Sequence, residues 1–137
     1  MRKMAKRQLD TNIWIEPLVD DFTAEEKYFW LWLLTNPHNN LCGVCKIGFA
    51  SIGKEMGVDK DTIVKLIDKF ENTYNLIKVD KQTAEILNTK FKDYFWTSSG
   101  DIRNSIEKQI KTVDSKQFVD YINGEIEKIA WRNRGNT

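Results

Sequence analysis

From Ile52 to Phe70 the chain reads I-G-K-E-M-G-V-D-K-D-T-I-V-K-L-I-D-K-F, and its periodicity organises everything around it. Ile52, Gly53 and Met56 place a small residue beside two apolar ones on one helical face. Gly57 suits the left-handed conformation that closes a helix. Asp59 is placed to cap a second helix, along which Ile63, Leu66, Ile67 and Phe70 recur at i, i+3, i+4 and i+7. The spacing predicts a helix, a tight turn and a second helix, and Gly53 lets the two cross closely. In such a helix-turn-helix the second helix enters the major groove of DNA. Nucleic acid is therefore the first functional expectation.

Upstream, Thr23-Ala24-Glu25-Glu26 is a capping box that opens a helix running to about Thr35, where Pro37 and the asparagines end it. Tyr28 to Leu34 is apolar at every position, so this helix needs cover on all sides. The helix-turn-helix can cover one side. The rest falls to Ile13-Trp14-Ile15, to the C-terminal helices or to a second subunit. Leu41 to Ile47 reads as a short strand. Downstream, the second motif helix is expected to end near Asn72–Asn75. Leu76 to Val79 and Glu85 to Thr89 read as two strands around a polar turn, Asp80 to Ala84.

The order helix, short strand, helix, helix, hairpin is that of a winged helix. The expected fold is mainly α with a small β-wing: residues 1–8 as a basic arm, 9–96 as the winged-helix domain and 97–137 as a C-terminal helical extension. Thr97-Ser98-Ser99-Gly100 reads as a linker or turn. In the extension, Ile102, Ile106, Ile110 and Val113 form one apolar stripe. Ser115 caps a further helix carrying Phe118, Val119, Ile122, Ile126 and Ile129. The spacing 119, 122, 126, 129 imitates a coiled-coil seam. It is short and broken by Gly124, so packing onto the domain is expected instead.

Composition bounds the function. With 137 residues, 41% hydrophobic and 12% aromatic, the chain can build a core, which excludes wholesale disorder. Five tryptophans suggest large anchors inside or at an interface. No apolar run approaches the ~20 residues that span a bilayer. Met1 to Gln8 is basic, but Leu9-Asp10-Thr11-Asn12 follows, so a signal peptide is not expected. Two cysteines without an export signal point to a reduced, cytoplasmic setting. Net charge is only +1 and the pI is near 7.7, low for a DNA-binding domain. The charge is sorted, however. Arg2, Lys3, Lys6 and Arg7 precede any acid, and Asp10, Glu16, Asp20, Asp21, Glu25 and Glu26 then run without a base, so one face can still be positive.

Beyond the element order, the chain resembles the N-terminal winged-helix domain of phage replisome organisers, related to the DnaD-like primosomal initiators. The residues that carry the resemblance are K-R-Q-L-D-T-N-I-W from Lys6 to Trp14 and E-K-Y-F-W-L-W-L-L-T-N-P from Glu26 to Pro37. N-L-C-G-V-C at Asn40 to Cys45 and G-V-D-K-D at Gly57 to Asp61 follow. T-K-F-K-D-Y at Thr89 to Tyr94 and S-I-E-K-Q-I-K-T-V at Ser105 to Val113 complete it. The L-L-T-N-P element is its most specific part. The resemblance implies binding to origin double-stranded DNA and recruitment of replication proteins, such as a helicase or its loader, usually through a separate C-terminal region. Either an N-terminal domain of a longer protein or a stand-alone small relative is expected.

The second motif helix offers Thr62, Lys65, Lys69 and Asn72 to base edges or phosphates, with Lys60 at its start. Asp61 and Asp68 on the same side would repel phosphate, and an ordinary solvated face is the competing reading. Ser51 and Lys54 on the preceding helix, and Lys78, Lys81 and Gln82 on the wing, are candidate backbone contacts. Strand lysines also serve simply to protect an edge. Arg2, Lys3, Lys6 and Arg7 suit a tail in the minor groove or a solubilising tail. Lys128, Arg132 and Arg134 are weaker candidates.

Two other patterns carry less. Gly48 to Glu55 imitates a phosphate-binding loop, but Glu55 stands where a hydroxyl should bind magnesium. His38, Cys42 and Cys45 supply three soft ligands where a structural zinc takes four. No cofactor or metal is expected. One histidine and no nucleophile motif give catalysis no footing, so an enzyme is not expected. A homodimer is a plausible expectation. A transcriptional regulator, or a winged helix used only for self-association or protein contact, remain open.

Overall fold

The structure, a computed structural model, describes residues 5–132. It is mainly helical, with a small antiparallel three-stranded sheet. A 3-10 turn over Thr11–Ile15 leads into α1 (Pro17–Asp20) and α2 (Ala24–Thr35). β1 (Val44–Lys46) precedes α3 (Phe49–Met56) and α4 (Lys60–Asp68). The hairpin β2 (Ile77–Asp80) and β3 (Glu85–Asn88) follows, then α5 (Phe91–Phe95), α6 (Gly100–Gln109) and α7 (Lys116–Glu127).

The turn between α3 and α4 forms as its residue types require. Gly57 adopts φ +77°, the left-handed conformation. Its N–H and that of Val58 both reach the Gly53 carbonyl, at 2.8 and 2.9 Å. A Cβ on Gly53 would lie 2.6 Å from the Val58 carbonyl oxygen, so only glycine permits this approach. Asp59 caps α4 by accepting the Thr62 N–H at 2.7 Å. Beyond Asp68 the helix widens into a π-helical turn, Lys69–Thr73.

The sheet has strand order β1-β3-β2. Val44 pairs with Leu87, Lys78 with Leu87, and Val79 with Ile86. All four residues of β3 are buried, because the sheet is covered on both faces. On one face lies a large core built around Phe29, Trp30, Ile52, Ile63, Phe70 and Ile86. Phe70 is its centre, with ring centroids 4.9 Å from Phe29, 5.2 Å from Phe22 and 5.4 Å from Tyr74. On the other face, Val44 and Leu87 pack under Ile106, Phe118, Ile122 and Ile126 of α6 and α7. The C-terminal helices therefore cover the back of the sheet.

Cover for α2 comes from within the chain. Ile13, Val19 and Phe22 close it from the N-terminal side, with Phe91, Tyr94 and Phe95 of α5. The expectation of complete burial is too strong at Tyr28, which is 46% exposed and donates its hydroxyl to the Met56 carbonyl at 2.7 Å. Of the Ile13-Trp14-Ile15 triplet only Ile13 points inward. Trp14 and Ile15 are 55% and 73% exposed. The 3-10 turn repeats every three residues, so its short length buries one side chain.

Candidate nucleic-acid interface

α4 buries Ile63, Leu66 and Ile67 and leaves its opposite flank in solvent. On that flank Lys60, Asp61, Val64, Lys65 and Asp68 are exposed. Ser51 and Lys54 are exposed on α3, whose axis α4 crosses at Gly53. Lys54, Lys60 and Lys65 are thus candidate cations on two helices held in fixed relation. Val64, 41% exposed, is an outward apolar residue that the sequence reading passed over. Its signal was legible: position 64 falls off the stripe of 63, 66, 67 and 70. An exposed valine beside Lys65 offers the kind of apolar surface that meets a thymine methyl.

Three candidates on this helix are already engaged. Lys69 stays exposed but is paired: its ammonium lies 2.7 Å from Glu26 Oε2 and 5.3 Å from the Tyr74 ring centroid. Its bonds to Glu26 and Tyr74 raise its pKa. Glu26 is buried and also accepts the Thr23 N–H at 2.9 Å and the Tyr74 hydroxyl at 3.0 Å. Burial pushes its pKa upward, yet Lys69, the Thr23 amide and Tyr74 together outweigh that and hold it below the ordinary value. Asn72 donates to Asp68 Oδ1 at 2.8 Å. Thr62 serves Asp59 through both its hydroxyl and its N–H, which keep the Asp59 carboxyl below the usual range. Thr62, Lys69 and Asn72, expected to face the groove, thus each also make a contact within the protein, while Lys69 and Asn72 remain exposed.

At the wing, Lys78, Lys81 and Gln82 are exposed. Asp80 Oδ1 accepts the Gln82 and Thr83 amides at 3.0 and 3.3 Å, which folds the acid into its own turn. Lys78 lies opposite Leu87, hence on the sheet face that α6 and α7 cover, at the open edge.

The arm is not a free tail where it is described. Lys6 is exposed, but the Arg7 guanidinium sits 5.7 Å from both the Phe91 and Phe95 ring centroids. Burial lowers its pKa. Arg2 and Lys3 lie outside the described residues, as does Arg134. Lys128 pairs with Glu125 at 2.6 Å.

The two discounted patterns have structural explanations. Gly48 caps α3, which starts at Phe49, so the imitation of a phosphate loop is helix. Cys42 and Cys45 sit in different cores, on opposite faces of the sheet, and burial pushes both thiols up to about 12. His38 Nε2 lies 2.5 Å from Glu55 Oε2, whose other oxygen accepts the Trp32 indole N–H at 3.1 Å. Among the described residues no group of three His, Cys, Asp or Glu gathers as metal ligands, and no helix is long and apolar enough to cross a membrane. No family model, curated protein or solved structure matches this chain.

Proposed function

We propose that the chain binds double-stranded DNA through α4, as a winged-helix protein of replication initiation. The observation that carries this reading is the division of α4. Ile63, Leu66 and Ile67 are sunk in the core, while Lys60, Val64 and Lys65 stand in solvent on a helix fixed by Gly53, Asp59 and Glu26. In this mechanism α4 enters the major groove and Lys54, Lys78 and Lys81 set its register on phosphates. The resemblance of Glu26 to Pro37 and its companion segments to phage replisome organisers gives the role: origin binding in the cytoplasm, with a helicase or its loader as protein partner. Low net charge makes each copy a weak binder, so several copies on repeated sites would gain affinity together. A transcriptional regulator would use the same helix.

A second reading is favoured by a different observation. Trp14 and Ile15 are exposed within the segment of six acids without a base. That surface repels DNA and suits a protein, a second copy or a basic apolar partner.

Titration of labelled duplex from the parent replicon at several salt concentrations tests the first reading. About five phosphate contacts predict a log–log slope near −4.5, and Lys60→Glu with Lys65→Glu abolishes binding while leaving thermal unfolding unchanged. Absence of duplex binding by the unaltered chain at low salt would leave the protein-contact reading in its place.

A further inference from the structure

We propose that the DNA-contacting surface continues past the wing onto the first turn of α7, where Lys116 and Gln117 join Lys81 and Gln82 in holding the duplex backbone. This rests on the DNA-binding reading and enlarges its site.

A cleft of about 510 Å³ separates the wing turn from the start of α7. Lys81, Gln82 and Thr83 line one wall, and Ser115, Lys116 and Gln117 the other. Asp80 and Asp114 line it as well, Glu85 lies close by, and each is engaged by donors of the protein. Buried Glu85 accepts the Asp114 N–H at 2.9 Å and the Ser115 N–H at 2.7 Å. Asp80 takes the Ser115 hydroxyl and the amides of its own turn, which hold its carboxyl below the usual range. Asp114 is ion-paired with Lys46. Among the described residues no ion pair engages Lys81 or Lys116. The cleft therefore keeps two ammonium groups without an ion pair, one on each wall, beside carboxylates whose oxygens are engaged by amide donors or by Lys46.

The same contacts explain why a backbone could be held firmly here. Glu85 of β3 fastens the hairpin to the start of α7, and the Lys46–Asp114 pair ties β1 to the same place, so the two walls do not need ordering when DNA arrives. Both walls carry long exposed side chains, a form suited to a strand passing through. Lysine and glutamine at such a place grip phosphates without reading bases.

Full-length Lys116→Gln and Lys81→Gln, singly and together, measured for duplex affinity against salt, test this. Lys116→Gln is expected to weaken binding about three- to tenfold and to lower the slope by about 0.9, as loss of one phosphate contact does. The two changes should combine less than additively if both lysines hold the same stretch of backbone. Lys116 is exposed, so unchanged thermal unfolding will separate lost contact from lost fold. If the unaltered chain binds duplex and Lys116→Gln has the same affinity and slope, α7 lies outside the interface and this inference fails alone. If the unaltered chain does not bind duplex at low salt, both readings fail.

Discussion

Glu26 does three jobs at one residue: it closes the capping box of α2, accepts Tyr74 and holds Lys69. Its pKa is depressed in the folded chain, and the sign of the consequence follows. The stability it contributes is complete above the ordinary carboxylate range and is lost as pH falls through its lower folded value. Glu26→Gln should therefore lower stability at neutral pH and flatten the acid limb of a stability–pH curve measured by denaturant unfolding. An acid limb as steep as before would show that other carboxylates govern acid unfolding. Lys69→Glu would place a second carboxylate against a buried one and unfold the chain at a lower temperature, so it makes a poor probe of DNA contact. At the centre of the same core, Phe70→Ala removes a side chain with no exposed surface and is expected to cost about 3–5 kcal/mol.

Between α3 and α4 the fold depends on a distance. Because the Cβ of an alanine at position 53 would stand 2.6 Å from a backbone oxygen, Gly53→Ala must push the two helices apart. Overpacking of this kind costs about 1–3 kcal/mol. Duplex binding should fall further than the stability loss explains, since the flank of α4 would be re-aimed. This crossing was legible in the sequence, as were the capping box and the cap at Asp59, because each is fixed by residues within one or two turns of one another. Lys60 and Lys65 were legible as outward positions for the same reason. Lys69 and Asn72 are exposed as well, but the contacts that they make within the protein were not legible. They fall where the helix widens to i→i+5 bonding, with the Tyr74 N–H reaching the Lys69 carbonyl at 2.9 Å. A regular helical projection loses its phase there. Arg7 was misread for a different reason. Its aromatic partners on α5 lie more than half the chain away, and no local pattern announces such a contact.

Across the whole molecule, one sheet serves two cores, and that decides how the chain divides. Periodicity suggested a winged helix at 9–96 and a C-terminal helical extension at 97–137 packed onto it, because the apolar stripes of α6 and α7 are visible, though not the surface that they cover. Their destination is the back of β1 and β3, where Val44 and Leu87 have no other cover. Trp96 donates its indole N–H to the Leu41 carbonyl at 2.7 Å, and Lys92 of α5 reaches Glu125 of α7 at 3.1 Å. Neither part is complete alone: α6 and α7 would expose their stripes, and the sheet would expose an apolar face. Unfolding should therefore be one cooperative transition. Tryptophans report on it separately, since Trp30 lies in the first core, while Trp96 and Trp131 pack near each other, with centroids 6.4 Å apart, beside the second. Variants that keep only Trp30 or only Trp131 are expected to melt at midpoints displaced from the parent chain by their substitutions, but each with its fluorescence transition coinciding with its own far-UV circular dichroism transition. An early Trp131 transition that leaves the helical signal of the first core intact would show α7 detaching by itself. The wing would then lose the wall that Lys116 belongs to before the winged helix came apart.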